Sequence, residues 1–320
     1  MMASVPKRLR IRPEAVPAVL LVLAFVAGAM QSKYFLDVRY LLDSMTLYVE
    51  TGLLALGMTF VIISGNIDLS VASMTALVAC VTAKLMGSGW SVPAACFTGV
   101  GLGLGLGAAN GLLVAKMKLP SFVVTLATMA VYRGIAQVLL GASSAKLPAS
   151  FVGLDMQYLP GHFPIPVAFL LVMALVVALV LHRTLFGRWV FALGTNEVAS
   201  FYSGLPVATV KVGVFAISGL MASFAALLMD SRLGVARFDH ARGLELDAIT
   251  AVLLGGASIF GGRGSAFGTI LAVFLVAILR IGMGVANVKA EYQLAVIGTL
   301  LVVAVLSGNF VERLSSSRKS

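Results

Sequence analysis

Apolar runs long enough to cross a lipid bilayer recur along almost the whole chain, and this feature constrains the fold most strongly. A helix needs about 20 apolar residues to span the hydrocarbon. The 320 residues are 60% hydrophobic and only 11% charged. One globular core could not hide that much apolar surface, because a soluble protein needs a polar skin. The sequence therefore predicts an all-α, polytopic membrane protein.

We predict ten transmembrane helices in one membrane domain over 15–307, flanked by a basic tail at 1–14 and a second tail at 308–320. The third and eighth spans are short or interrupted by Gly, Asn or Asp, which is typical of broken or partly inserted helices. The spans are 15–31, 45–64, 69–87, 92–116, 121–141, 164–182, 208–230, 245–260, 265–285 and 290–307.

Positive charge is divided unevenly between the predicted loops. With ten spans and a cytoplasmic N-terminus, 13 of the 23 Lys and Arg residues fall inside, 7 outside and 3 in or near spans. Cytoplasmic loops of membrane proteins carry an excess of Lys and Arg. The bias predicts that both termini are cytoplasmic, and it accounts for the net charge of +10 without a nucleic-acid partner.

Two glycine-rich segments invite comparison with phosphate-binding loops, and neither fits. Gly99, Gly103, Gly107 and Gly111 are spaced by four, which places them on one helix face and predicts close helix packing. The segment 255–268, GGASIFGGRGSAFG, lacks the Lys and Ser/Thr with which a Walker loop holds phosphates. We therefore expect a chain without catalytic residues, cofactor or metal site, and a glycine-rich turn at 255–268.

Three polar residues interrupt apolar surroundings. Asn66 and Asp68 lie in SGNIDLS, and Arg133 lies inside the fifth span. Polar groups at membrane depth are costly unless they hydrogen-bond inside the protein, cap a helix or line a cavity. Two roles stay open for them: structural hydrogen bonding, or contact with a translocated solute or partner.

The segment 183–211 is an inside loop too long for a tight turn, and it contains signals for a short helix. Asn196 suits an N-cap, Glu197 lies in the first turn, and Gly204 can end the helix before Pro206. Such a helix could be an ordinary interfacial helix or could dock a partner. The residues expected to face that partner are Glu197, Ser200, Phe201 and Tyr202.

A mixed-charge stretch lies on the predicted outer side. It could be a solvated loop or a docking rim for a soluble partner. Its members are Asp230, Arg232, Arg237, Asp239, His240, Arg242, Glu245 and Asp247.

Four stretches, spread from the second span almost to the end of the chain, carry a family resemblance. They are TFVIISGNIDLS (59–70), LPSFVVTLATMAVYRG (119–134), FGRWVFALGTNEVASFYSGLPV (186–207) and LELDAITAVLLGGASIFGGRGSAFGT (244–269). Together they resemble the permease subunits of bacterial ATP-binding-cassette sugar importers, in the branch with ribose, xylose, arabinose, rhamnose and autoinducer-2 systems. The segment 231–245 looks closest to rhamnose-type permeases, and some relatives have Gly where this chain has Asn66.

The resemblance implies that the coupling loop, 183–207, docks into a separate ATPase subunit. Glu197, Ala199 and Gly204 occupy the family's matching positions, and the predicted coupling residues are Asn196, Glu197, Ala199, Ser200 and Gly204.

The other implied partners are a periplasmic sugar-binding protein and a second permease subunit, identical or similar, in the bacterial inner membrane. The implied function is import of a monosaccharide, rhamnose-like or ribose-like, or of autoinducer-2, by alternating access. The alternative is a secondary transporter or channel for a small polar solute. It would need intramembrane acids, of which Glu50 is the main one.

Overall fold

Helices make up nearly all of the structure, a computed structural model that describes residues 14–141, 143–293, 295–300 and 302. The predicted tails, apart from Glu14, lie outside these residues, as does most of 301–307 in the tenth span. Helical residues at 290–293 and 295–300 follow the last helix defined here. The helices are α1 (Ala15–Gln31), α2 (Val38–Met45), α3 (Val49–Ile63), α4 (Val71–Gly87), α5 (Val92–Met117), α6 (Ser121–Leu140), α7 (Ile165–Arg183), α8 (Leu185–Thr195), α9 (Glu197–Tyr202), α10 (Val207–Leu233), α11 (Leu244–Leu254) and α12 (Ala266–Val285).

Six helical stretches of the described chain are long and apolar enough to cross a membrane. They are Val38–Ile63, Val92–Met117, Ser121–Leu140, Ile165–Arg183, Val207–Leu233 and Ala266–Val285. Two further apolar helices, α1 and α4, are shorter. The protein is therefore a helical, polytopic membrane protein.

Helix α3 lies at the centre of the bundle. Every residue from Val49 to Ile63 is buried, and α3 packs against α7, α10, α11 and α12. A helix that is apolar on all sides is expected to be enclosed by other helices rather than to face one way. The two turns that follow α3 are consequently held on several sides at once.

The four-residue glycine spacing of α5 is a packing seam, as predicted. A Cβ atom at Gly107 would collide with the backbone carbonyl of Phe215, and one at Gly111 would lie 2.6 Å from the Cα of Val212. Both of those neighbours belong to α10. Gly103 meets α10 in the same way, and Gly99 meets α4. The seam brings α5 and α10 into backbone contact.

Helix α11 is shorter than the predicted span at 245–260. It ends at Leu254, where Gly255 and Gly256 follow, and Gly256 has a φ of +90°. Eleven residues extend only about 17 Å, less than the hydrocarbon thickness. A Cβ at Gly255 would lie 2.6 Å from the backbone nitrogen of Thr269 in α12. This close approach of α11 and α12 explains the glycine at that position.

Besides the predicted short helix α9, two helices lie outside the predicted spans. α2 precedes the second span, and the Asp37 carboxylate caps it by accepting hydrogen bonds from the Arg39 and Tyr40 nitrogens. α8 lies in the coupling loop, where the Thr184 hydroxyl accepts from the Gly187 nitrogen. The coupling loop thus contains two helices, α8 and α9, instead of one.

Short strands join the connections at the end of the bundle opposite the coupling loop. β1 (Ala145–Lys146) pairs antiparallel with β4 (Val235–Ala236), and β2 (Tyr158–Leu159) pairs antiparallel with β3 (Phe163–Pro164). The all-α prediction did not include these ribbons. The remaining elements are 3-10 helices at Lys33–Leu36, Thr46–Tyr48 and Leu154–Met156.

Candidate functional site

The short helix α9 forms where the sequence predicts it, by the predicted signals. The Asn196 side-chain oxygen accepts a hydrogen bond from the Ala199 nitrogen at 2.9 Å, so Asn196 is the N-cap. Glu197 lies in the first turn. Gly204 follows the helix with a φ of +79°, a conformation that favours glycine and ends the helix. Ala199 is exposed on the surface of α9.

One face of α9 presents apolar side chains to the surroundings. Val198 and Phe201 are about two-thirds exposed, and Tyr202 is 83% exposed. The prediction that Ser200 faces a partner is wrong, because Ser200 is only 6% exposed. It lies on the opposite side of the helix, where its carbonyl accepts a hydrogen bond from the Leu205 nitrogen. Exposed aromatic side chains on so short a helix are typical of an interaction surface.

Glu197 is paired within the chain. Its Oε1 atom lies 2.7 Å from Nζ of Lys211, in the first turns of α10. The Lys211 side chain is 11% exposed and that of Glu197 is 54% exposed. Sequence reasoning missed Lys211 as a partner, because the two residues are 14 positions apart on either side of the turn at Pro206.

The last turn of α8, directly before α9, rests on backbone from two other parts of the chain. A Cβ atom at Gly194 would collide with the carbonyl oxygen of Ile63, the last residue of α3. The same carbonyl accepts a hydrogen bond from the Gly262 nitrogen at 2.8 Å. Gly261 packs against Gly65 and Gly194 in turn. We call Gly65, Gly194, Gly261 and Gly262 the glycine junction. It joins the base of α9 to the end of α3 and to the glycine-rich turn between α11 and α12.

Asp68 lies at the centre of a buried hydrogen-bond network a few residues beyond the glycine junction. Its Oδ1 accepts from the Ser70 nitrogen at 2.9 Å and from the Ser70 hydroxyl at 2.6 Å, and its Oδ2 accepts from the Ser218 hydroxyl at 2.9 Å. The Asn110 amide donates to the Ser70 hydroxyl, and the Tyr132 hydroxyl donates to the Asn110 oxygen. One carboxylate therefore connects α4, α5, α6 and α10.

Asn66 also makes its hydrogen bonds inside the chain. Its amide nitrogen donates to the carbonyl and hydroxyl oxygens of Ser64. The next residue, Ile67, donates its backbone N–H to the Ser121 hydroxyl at the start of α6. Of the two roles left open for Asn66 and Asp68, this geometry favours the structural one.

Arg133 acts at the end of the bundle opposite α9. Its Nη1 donates to the carbonyl oxygens of Phe238 and His240, at 2.6 and 2.7 Å. It therefore fastens α6 to the connection between α10 and α11. Burial lowers the pKa of His240 in that connection. A structural role is again the one that the contacts favour.

The mixed-charge stretch is not one continuous rim. α10 extends to Leu233, so Asp230 is fully buried in its last turns. Arg232 pairs with the buried Glu50 at 2.7 Å, and Asp247 pairs with Arg280 of α12 at 2.8 Å. These ion pairs connect helices.

The surface part of the stretch contains a separate ion pair. The Arg237 guanidinium donates two hydrogen bonds to Asp239 at 2.8 Å. They lower the pKa of Asp239 to about 2. Arg242 lies over the Phe238 ring, 5.9 Å from its centre. This part is open to solvent or to a soluble partner.

Residues 40–305 match the model of a permease family, described as the permease component of the branched-chain amino acid transport system. The match covers more than half of the chain. The chain belongs to this family. No solved structure matches it significantly.

Curated relatives include permeases with sugar and signal-molecule names. The chain is 37% identical over 275 residues to the ribose import permease protein RbsC of Bacillus subtilis, covering 85% of both chains. It is 35% identical to the D-allose transport system permease protein AlsC of Escherichia coli K12, over 92% of this chain and 91% of that one. It is 36% identical to the autoinducer 2 import system permease protein LsrD of E. coli O9:H4, over 93% and 92%. The chain is thus a permease component, a non-catalytic subunit of a transport system.

Proposed function

We propose that this permease is the inner-membrane subunit of an ATP-binding-cassette importer that translocates a monosaccharide or a similar small polyol by alternating access. One observation carries the proposal. The last turn of α8 leads directly into the short helix α9 with its exposed aromatic face, and it rests on backbone from two other parts of the bundle, the end of α3 and the turn between α11 and α12. A partner that moves α9 would therefore move the membrane helices. Residues 196–204 would be the surface on which the ATPase docks.

We propose ten spans with both termini in the cytoplasm. In this proposal the six long apolar stretches, α1, α4 and the helical residues after 290 give nine crossings, and α11 together with the glycine-rich turn after it gives the short tenth. The excess of Lys and Arg on one side supports this orientation. In it, α9 lies at the cytoplasmic end, and the connection fastened by Arg133 lies at the periplasmic end.

The partners would be divided between the two ends. The ATPase subunit would bind at α9, and a periplasmic sugar-binding protein would deliver substrate at the end with the β ribbons. A second permease subunit, identical or similar, would complete the pathway across the bilayer. The relatives named for ribose, allose and autoinducer 2 support a small polyhydroxylated substrate. The rhamnose-type likeness of 231–245 stays a prediction.

Two of the acids inside the bundle are held in ion pairs, which weighs against their use in a proton-coupled transporter. Such a transporter needs an acid that is free to take up and release protons during transport. Glu50 is paired with Arg232, and Asp247 is paired with Arg280. Both acids therefore have structural partners in the state described.

Uptake into vesicles tests the proposal. The permease would be co-reconstituted with a candidate ATPase in vesicles that hold ATP on the ATPase side. A candidate sugar-binding protein carrying labelled D-ribose, D-allose or L-rhamnose would be added on the opposite side. Accumulation of one of these sugars should require ATP and should stop with a non-hydrolysable ATP analogue. Accumulation in ATP-free vesicles under a proton or sodium gradient would support the secondary transporter instead.

A further inference from the structure

Lys211 is a cationic side chain drawn into the protein beside the helix that the ATPase would contact. Its side chain is only 11% exposed, and the Glu197 carboxylate lies 2.7 Å from its ammonium nitrogen. A buried ammonium group is costly without a partner. Glu197 supplies the countercharge, and its own side chain stays about half-exposed at the surface of α9.

The helix that carries Lys211 runs through the whole bundle. α10 has 27 residues, about 40 Å, and the Lys211 backbone lies against Gly111 of α5. Ser218 of α10 donates to Asp68, and Arg232 at its far end pairs with Glu50. A displacement at Lys211 is therefore passed to α4 through the Asp68 network and to the outer end of α3.

The covalent link between α9 and α10 is short and has its own backbone hydrogen bonds: the Leu205 nitrogen donates to the Ser200 carbonyl, and the Val207 nitrogen donates to the Leu205 carbonyl. It passes through Gly204, around which a Cβ would meet no atom within 4 Å, and then through Pro206. A six-residue helix has little stability of its own. The Glu197–Lys211 ion pair adds a connection one turn further into α10 than this link reaches.

We infer that Glu197 is a positioning residue inside the permease and that its ion pair with Lys211 transmits the movement of α9 to α10. The inference rests on the proposed docking of an ATPase at α9. It adds Lys211 to the coupling residues, although Lys211 does not belong to the docking surface. If Glu197 instead bound the ATPase directly, Lys211 would have no such role and a charge exchange would not restore function.

The experiment exchanges the two charges. Glu197→Lys, Lys211→Glu and the double variant would be reconstituted with the ATPase and binding protein, and both sugar uptake and ATP hydrolysis would be measured. Each single variant should lower the sugar imported per ATP hydrolysed by about fivefold or more, the scale of a typical coupling between sites. The double variant should recover most of that loss. Lys116→Glu, an exposed charge reversal at the same end of the bundle, should leave the ratio unchanged.

Milder variants keep the test decisive if Lys211→Glu does not fold. Glu197→Gln and Lys211→Gln should lower the ratio equally, and their combination should be no worse than either alone, because all three remove the same ion pair. The inference is overturned if Glu197→Gln weakens ATPase binding while Lys211→Gln leaves both binding and the ratio intact. It is also overturned if the charge exchange gives no recovery. A wild-type permease without ATP-dependent uptake would refute the proposed function itself, which is a separate result.

Discussion

The helices α3, α11 and α12 are joined by different chemistry at their two ends. At the α9 end, the glycine junction brings backbone directly against backbone, and the Ile63 carbonyl accepts from Gly262. At the opposite end, long charged side chains connect the helices, in the pairs Arg232–Glu50 and Arg280–Asp247. Backbone contacts allow little relative movement of the segments they join, whereas long side chains can change rotamer while staying paired. The difference suits the proposed function, in which one end receives the movement of an ATPase and the other end opens and closes.

Removing the guanidinium of Arg232 should have the largest effect on stability. Arg232→Ala leaves the buried Glu50 carboxylate without its countercharge, which should cost on the order of 3 kcal/mol. Thermal unfolding in detergent would measure the loss. The double variant Glu50→Gln/Arg232→Gln should regain much of it, since no unpaired charge remains. If Arg232→Ala unfolded like wild type, the ion pair would not be what holds this end.

A methyl group in the glycine junction should have the next largest effect. Gly194→Ala forces a Cβ atom onto the Ile63 carbonyl, an overpacking that should cost about 1–3 kcal/mol. Sugar uptake should fall by more than this loss of stability explains, because the last turn of α8, and α9 with it, is displaced from α3. Gly134→Ala is the matched control, since no atom lies within 4 Å of its Cβ position. Equal uptake by the two variants would contradict a transmitting role for the junction.

Loss of the α9 cap should have a smaller effect. Asn196→Ala removes the hydrogen bond to the Ala199 nitrogen, and a lost N-cap costs about 1 kcal/mol. We expect reduced co-purification of the ATPase with little change in the melting temperature of the permease. Asn196→Asp retains the cap oxygen and should retain binding. If ATPase binding fell as much with Asn196→Asp as with Asn196→Ala, Asn196 would not contribute to binding through its role as an N-cap.

The exposed pair at the opposite end should have the smallest effect. The Arg237 hydrogen bonds lower the pKa of Asp239 to about 2, below its usual value near 4. The pair therefore stabilises the fold fully above about pH 4 and loses this contribution as the pH falls towards 2. The difference in melting temperature between wild type and Asp239→Asn should be small and constant from pH 5 to 8. A difference that changes within that range would assign the titration to another group, such as His240.

Local signals predicted the α9 end well. Asn196, Glu197 and Gly204 are recognisable as a cap, a first-turn acid and a helix stop because each acts on its own neighbours. The close packing of α5 was equally predictable, because glycines spaced by four residues lie on one helix face. Nine of the predicted spans have a helix at nearly the predicted place, and the tenth has helical residues over 290–293 and 295–300.

Contacts between distant residues could not be predicted from the sequence. Lys211 pairs with Glu197, and Ser218 binds Asp68 across 150 positions, through helix packing that no local pattern specifies. The burial of Ser200 depends on the rotation of α9 against its neighbours. α11 stops at Leu254 because two glycines follow and α12 approaches closely, and a hydropathy window averages over both causes.

Cross-linking at α9 tests the central claim most directly. In a permease with Cys80 and Cys96 replaced by Ala, single cysteines at Tyr202 and Ser200 would be treated with a short bifunctional thiol reagent in the assembled complex with the ATPase. Tyr202→Cys should form a cross-linked permease–ATPase product, and the yield of this product should change when ATP is added. The buried Ser200→Cys should form little. Strong cross-linking to the ATPase from a third variant, Lys146→Cys, at the opposite end, with none from Tyr202→Cys, would contradict the claim that α9 couples this permease to ATP hydrolysis.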